Sequence, residues 1–162
     1  MKRKVLFLCT SNSARSQMAE AILNYRGGDR FVALSAGSEP TEEIHPQAVK
    51  VLSDAGYDMS GKSPKSLQKF IHEDFDFIIT LCDRMKEICP VFPGQPILAH
   101  WGFPDPADFE GEELKKLQVF QKTMMGISQR ISLFLNLPME KLDRMMLEER
   151  VKEIGAHSFD EQ

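Results

Sequence analysis

The segment that most restricts the fold is KVLFLC, residues 4–9, near the start of the 162-residue chain. It is a short apolar run without the polar gaps of an amphipathic helix, which is typical of a strand buried on both faces of a parallel sheet. A Ser/Asn-rich loop follows it, and apolar residues at helical spacing then predict a helix over about 16–26, ended by two glycines. The chain therefore begins with a strand, a loop and a helix.

The rest of the chain continues this alternation. We predict strands over 31–37, 76–80 and 96–100, a helix from His45-Pro46 to about Ala55, a long amphipathic helix from about Glu110 to Phe134, and, after a break at Leu137-Pro138, a Met-rich helix to about Ile154. The tail HSFDEQ, residues 157–162, is expected to fray. Strands that alternate with helices indicate an α/β fold, in which a parallel sheet carries helices on both faces.

Composition excludes some classes of function. The net charge of −4 argues against nucleic acid or an anionic membrane as the main partner. The apolar stretch Val5–Cys9 is shorter than the core of a signal peptide, and no run approaches the roughly 18 apolar residues of a membrane span. We therefore expect a cytoplasmic protein.

The three cysteines are Cys9, Cys82 and Cys89. An odd count without a secretion signal argues against a static disulfide framework, and the alternative is that each thiol is a small buried hydrophobe. Zinc is disfavoured because the six residues between Cys82 and Cys89 exceed the usual spacing and no second pair exists. We predict no metal and no cofactor.

The loop after the first strand has the pattern Cys-x5-Arg followed by Ser, with the sequence Cys9, Thr10, Ser11, Asn12, Ser13, Ala14, Arg15 and Ser16. Five intervening residues can wrap a tetrahedral oxyanion with backbone N–H groups, in front of a helix N-terminus. Arg15 adds a planar fork for two oxygens, and this positive field is expected to lower the pKa of Cys9 and keep it a thiolate. The alternative is an ordinary strand–loop–helix turn with a buried cysteine.

Chemistry at a thiolate also needs an acid that protonates the departing oxygen. Asp105 lies between Pro104 and Pro106, whose rings restrict the backbone and could fix the carboxyl group. An Asp beside Pro is equally typical of a turn. Asp83 and Asp108 are weaker candidates for the acid. His100 and Trp101 are expected to pack at the end of the fourth strand, outside the chemistry.

These segments resemble the low-molecular-weight protein tyrosine phosphatases and the arsenate reductases that share their fold. The resemblance covers about residues 3–135 and rests on VLFLCTSNSARSQMAEA, LSAG, ITLCDRMKEICPVFPG and HWGFPDPAD. The last two look like the thioredoxin-coupled reductases. The chain departs from the family at Ser11, where glycine is usual, and at Ala14, where most members have a second cysteine. The resemblance implies a flavodoxin-like, four-stranded parallel sheet with helices on both faces, in a domain that we predict over residues 1–137. We expect residues 138–162 to be a C-terminal helical extension packed on the same domain.

The resemblance also implies residue roles. Cys9 would form a thiol–arsenate adduct, Asp105 would be the general acid, Cys82 would displace arsenite, and Cys89 would take over the disulfide. Thioredoxin or glutaredoxin would return the electrons. The alternatives are a phosphatase that hydrolyses phosphoesters through a Cys9 phosphoenzyme, and a non-catalytic oxyanion-binding module. Cys89 has no task in a phosphatase, and a binding module would not need Asp105.

Two further expectations concern single segments. Some reductases of this type hold a potassium ion behind the loop, at positions that look like Asn12, Glu20, Ser35 and Ser63; Lys65, in place of an acidic residue, could neutralise Glu20 and replace that ion. A solvated surface lysine is the alternative. The segment DRMKEI between Cys82 and Cys89 consists of good helix formers and is expected to be helical in the reduced protein.

Overall fold

A computed structural model describes residues 1–156, so the expected fraying of residues 157–162 lies outside the described residues. The strands are β1 (Arg3–Cys9), β2 (Phe31–Gly37), β3 (Phe77–Thr80) and β4 (Ile97–His100). The helices are α1 (Arg15–Gly27), α2 (Pro46–Asp54), α3 (Asp83–Ile88), α4 (Glu113–Leu135) and α5 (Arg144–Ala156). Short 3-10 turns occupy Leu67–Lys69, Pro106–Asp108 and Met139–Lys141. The predicted order of elements is confirmed, including the helix between Cys82 and Cys89.

The four strands form one parallel sheet in the order β2-β1-β3-β4. The chain moves from β1 to one side for β2 and then returns to the other side for β3, so the strand order reverses at β1. Ligands of such sheets bind outside the carboxyl ends of the strands at this reversal. Cys9 ends β1 there, paired with Gly37 of β2. The predicted flavodoxin-like α/β class is confirmed.

β1 is buried on both faces, because every residue from Val5 to Cys9 is at most 1% exposed. Aromatic rings fill the space between the sheet and the long helix: the Phe7 and Trp101 ring centroids lie 6.2 Å apart, and those of Trp101 and Phe134 lie 5.8 Å apart. Helices therefore cover both faces of this central strand, as the unbroken apolar run predicted.

α4 follows the predicted stripe, and its buried residues include Phe120, Ile127, Ile131 and Phe134. It begins at Glu113, three residues later than expected, because Gly111 and an extended Glu112 precede it. Arg130 is buried within the same stripe.

α5 packs against β4. The indole Nε1 of Trp101 donates a hydrogen bond of 3.0 Å to the Val151 carbonyl. A Cβ at Gly155 would lie 2.0 Å from the carbonyl oxygen of His100, so only glycine allows this approach. The division of the chain at residues 137 and 138 stays a prediction. Within residues 1–156, the helices are too short or too polar to cross a membrane.

Candidate functional site

The loop between β1 and α1 brings backbone N–H groups and a hydroxyl to the sulfur of the predicted nucleophile, Cys9. Cys9 is almost fully buried, and its Sγ lies 2.8 Å from the Ser16 hydroxyl in the first turn of α1. Arg15 is the first residue of α1 and is also buried. The structure therefore brings the cysteine, the arginine and the helix N-terminus together as the spacing predicted.

Asn12 fixes the loop conformation. Its φ of 53° lies in the left-handed region, which asparagine tolerates better than most residues. Its amide Nδ2 donates to the hydroxyls of Ser16 (2.7 Å) and Ser35 (3.0 Å), and its Oδ1 accepts from the Lys65 backbone N–H (2.8 Å). Ser11 is not among the residues with positive φ. The backbone at this position, where the family usually has glycine, is therefore not in the left-handed region in this chain.

Gly37 allows the end of β2 to approach this loop. A Cβ there would lie 2.4 Å from the Thr10 carbonyl oxygen and 2.9 Å from that of Cys9. Backbone atoms cannot move aside as a flexible side chain can, so a glycine is required for this packing.

A buried carboxylate lies behind the loop. Glu20 is 4% exposed and accepts a hydrogen bond of 2.9 Å from the Ser35 hydroxyl. The ammonium of Lys65 lies 3.3 Å from Glu20 Oε1, and that of Lys62 lies 3.7 Å from Glu20 Oε2. The expected contact of Lys65 with Glu20 is present. The idea that this ammonium replaces a potassium ion stays a prediction.

The expectation that the loop lowers the pKa of Cys9 is wrong. Burial raises the pKa of the Cys9 thiol above its ordinary value. The Ser16 hydroxyl, the charge of Arg15 and the N–H groups of Ser16 and Asn12 all act in the opposite direction, but they do not outweigh the loss of solvent. Burial of the sulfur therefore favours the thiol form of Cys9 over the thiolate.

Arg15 links the loop to the segment that follows β4. Its Nη1 donates 2.9 Å to the Phe103 carbonyl, and its Nη2 lies 3.5 Å from Asp105 Oδ2. Part of the guanidinium fork is thus used to hold the predicted acid near the loop. The remaining donors can face an oxyanion.

Asp105 occupies the turn that its neighbouring prolines predicted, and its role as the general acid stays a prediction. Its Oδ1 accepts from the Ala107 N–H at 3.0 Å and caps the short turn Pro106–Asp108, while Oδ2 faces Arg15. The carboxylate is thus held from two sides. The turn supplies the positioning that a general acid needs.

An open cavity of about 700 Å³ lies above the loop. Residues from the β1, β3 and β4 ends line it, namely Thr10, Ser11, Arg15, Asp83, Gly102, Phe103, Pro104, Asp105 and Asp108. The two weaker acid candidates, Asp83 and Asp108, also reach this cavity. Of the three carboxylates, Asp105 is the one paired with Arg15.

His100 and Trp101 have different surroundings. Trp101 is fully buried in the core, as expected. His100 Nδ1 lies 2.8 Å from the Thr80 hydroxyl, and its Nε2 lies 3.0 Å from Asp83 Oδ1 at the start of α3. The imidazole therefore joins β3, β4 and α3 at the rim of the site.

The second and third thiols stand at the two ends of α3. Cys82 precedes the helix, and its Sγ lies 3.3 Å from the Thr10 hydroxyl, next to Cys9 in sequence. Cys89 follows the helix and is half-buried, and this burial raises its thiol pKa. All three thiols are free. Cys82 is thus next to the loop that follows β1, and Cys89 is at the far end of α3.

No group of three or more His, Cys, Asp or Glu side chains in the described part of the chain is arranged to hold a metal ion.

The sequence interpretation missed two residues behind the site. The Gln17 amide donates to the Asn12 side chain at 3.0 Å and to the Ser63 carbonyl at 3.1 Å. Arg130 donates 3.0 Å to the Gly102 carbonyl and lies over the Phe103 ring. A signal for Arg130 exists, because a cation three residues after Ile127 falls inside the apolar stripe of α4.

The chain is similar to known proteins over most of its length. Residues 4–146 match the family model described as low molecular weight phosphotyrosine protein phosphatase. An arsenate reductase of Bacillus licheniformis is 40% identical over 133 residues, which are 82% of this chain and 95% of that protein. The thioredoxin-dependent arsenate reductase of Corynebacterium glutamicum has a TM-score of 0.59 at 30% identity, over 82% of this chain and 63% of that one. A low molecular weight protein tyrosine phosphatase from T. tengcongensis has a TM-score of 0.69 at 26% identity, over 87% of this chain and all of that one.

Proposed function

The chain belongs to the low molecular weight phosphotyrosine protein phosphatase family, and from that premise we propose that it is an arsenate reductase with a role in arsenic detoxification. The observation that carries the proposal is the position of Cys82 Sγ, 3.3 Å from the loop residue Thr10, with Cys89 at the other end of α3. A phosphatase needs Cys9, Arg15 and an acid, but it has no use for two further thiols at the two ends of α3.

The first step joins arsenic to Cys9. An arsenate oxygen takes the proton of the Cys9 thiol, and the sulfur then attacks arsenic within the loop. Arg15 and the loop N–H groups balance the charge of the oxyanion. Asp105 protonates the oxygen that departs, which leaves as water, and an S–As bond replaces the As–O bond.

The second step reduces arsenic. The Cys82 thiol passes its proton to an oxygen of the adduct and attacks Cys9 Sγ, so that an S–S bond forms. The electron pair of the broken S–As bond stays on arsenic, and As(V) leaves as arsenite. Cys89 then attacks Cys82 Sγ, and its proton goes to the departing Cys9 sulfur, which is restored as a thiol. The two electrons therefore come from a pair of thiols, which end as the Cys82–Cys89 disulfide.

The last exchange requires α3 to change conformation. Residues 83–88 are helical, and seven residue steps of helix separate the two cysteine Cα atoms by about 10 Å. A disulfide needs Cα atoms roughly 4.4–6.8 Å apart. The helix is shorter than two turns and is marginal by itself, so its unwinding is cheap.

The electrons return from a dithiol protein of the thioredoxin or glutaredoxin type. The likeness to a thioredoxin-dependent reductase favours thioredoxin. The unwinding of α3 would present the disulfide to this partner. Val91, two residues after Cys89, is already exposed. Such exchange in a reducing compartment agrees with a cytoplasmic location.

The test is arsenite production from arsenate with thioredoxin, thioredoxin reductase and NADPH, run beside hydrolysis of an aryl phosphate. We expect catalytic arsenite formation in the wild type and none in Cys82→Ser, while aryl phosphate hydrolysis, if the loop supports it, should be the same in both. Hydrolysis without arsenite would establish the phosphatase instead. Oxyanion binding without either reaction would establish the non-catalytic module.

A further inference from the structure

Resting on the proposed function, we propose that Arg130 of α4 is a positioning residue that sets the acid Asp105 against Arg15 without touching the oxyanion. Arg130 is largely buried, and it stands 25 residues after Asp105 in the sequence, on a different element.

Arg130 holds the segment after β4 by two contacts. Its Nη1 donates 3.0 Å to the Gly102 carbonyl. Its guanidinium carbon lies 4.2 Å from the centroid of the Phe103 ring, within the range of a cation–π contact. One side chain therefore fixes both the backbone of residue 102 and the ring of residue 103.

Gly126, one helical turn earlier on the same face of α4, also lies against this ring. A Cβ at Gly126 would lie 3.1 Å from Phe103 Cε1, which is tighter than an ordinary contact. The Phe103 ring thus contacts the guanidinium of Arg130 and lies close to the backbone of Gly126.

The other side of Phe103 belongs to the site. Its carbonyl accepts 2.9 Å from Arg15 Nη1, and Asp105, two residues later, lies 3.5 Å from Arg15 Nη2. Arg15 and Arg130 therefore contact the same segment. Arg15 bonds to the Phe103 carbonyl, whereas Arg130 contacts the Phe103 ring and the Gly102 carbonyl. A shift of Phe103 would move the acid and redirect the arginine together.

A displacement of about 1 Å at a catalytic group can lower a rate by roughly a hundredfold. We therefore expect Arg130→Met to lower the turnover for arsenite formation by about 10- to 100-fold, and Arg130→Lys to lower it less, since lysine keeps the charge but not the planar stack. Gly126→Ala would press on the same ring at Cε1 and should give a smaller loss. It is the second variant if Arg130→Met folds poorly.

A purely structural role would not depend on Asp105, so the experiment is a double-mutant cycle. We expect Arg130→Met and Gly126→Ala to have little further effect on turnover in an Asp105→Asn background. Arg26→Met is the matched control, because Arg26 also bonds to α4, through Ser128 and Ser132, but lies away from the acid. It should leave turnover unchanged in both backgrounds.

Additive losses in the Asp105→Asn background, or equal losses for Arg26→Met and Arg130→Met, would overturn the proposal. The same cycle is run on hydrolysis of phenyl phosphate, in which a poor leaving group also needs the acid. If the wild type forms no arsenite but hydrolyses the ester, the proposed function fails and this arm still decides the role of Arg130. A wild type that turns over neither substrate overturns both.

Discussion

Replacement of Lys65 by alanine should destabilise the protein through Glu20. The carboxylate of Glu20 is buried, and the Lys65 ammonium at 3.3 Å is itself only 19% exposed. A hydrogen bond to a charged group contributes about 1.5–3 kcal/mol, and partial exposure places this one near the lower end, at about 1.5–2 kcal/mol. At roughly 2–4 °C per kcal/mol for a domain of this size, Tm should fall by about 3–8 °C.

The matched control is Lys62→Ala. Its ammonium lies 3.7 Å from the same carboxylate, but its side chain is 42% exposed, so the pair should contribute only about 0.2–1 kcal/mol. Thermal unfolding followed by circular dichroism measures both variants. Equal losses for the two lysines, or no loss for Lys65→Ala, would refute the reasoning.

The same variant tests the expectation that Lys65 stands in for a bound cation. Tm of the wild type should respond equally to potassium and sodium chloride, because Glu20 is already paired. Lys65→Ala leaves Glu20, Ser35 and Asn12 without that ammonium, and its Tm should rise specifically with potassium. A rise in the wild type that potassium causes and sodium does not would contradict the idea.

Three further predictions concern the site and its support. Asp105→Asn should lower arsenite turnover about 10²–10⁴-fold with little change in the phosphate inhibition constant, whereas Arg15→Lys should damage both; an Asp105→Asn enzyme at the wild-type rate would show that Asp105 is not the acid. Burial raises the pKa of Cys9, and the Ser16 hydroxyl opposes that rise, so Ser16→Ala should raise the pKa further and leave less thiolate at a given pH. Thiolate absorbance against pH, taken as the difference from Cys9→Ser, checks this, and an unchanged or lower midpoint would contradict it. Gly155→Ala should cost about 1–3 kcal/mol in urea unfolding, because its Cβ would meet the His100 carbonyl at 2.0 Å, and an unchanged midpoint would show that α5 packs differently.

Local sequence patterns predicted most of the fold. The apolar run 4–9 became β1 with an error of one residue at its start, and β2 was predicted with its observed bounds. Both depend on local burial patterns, which a sequence displays directly. Cys9 and Arg15 were predicted as neighbours for the same reason, since six residues of loop and helix start leave few arrangements.

Two properties that depend on distant residues were not predicted, namely the direction of the Cys9 pKa shift and the contact of Arg130 with Phe103. The sign of the Cys9 pKa shift depends on how deeply the fold buries the sulfur, and the loop residues alone indicated the opposite sign. Arg130 meets Phe103 because α4 crosses the segment after β4, which no spacing rule describes. Lys65 and Glu20, 45 residues apart, were paired in advance because the resemblance placed them together.

The most direct test of the relay is peptide mapping of the disulfides after arsenate treatment, in the wild type and in Cys89→Ser. The wild type should contain a Cys82–Cys89 disulfide, and Cys89→Ser should complete one turnover and stop with a Cys9–Cys82 disulfide. If all three thiols of the wild type stay free while arsenite accumulates catalytically without added small thiols, the relay is wrong.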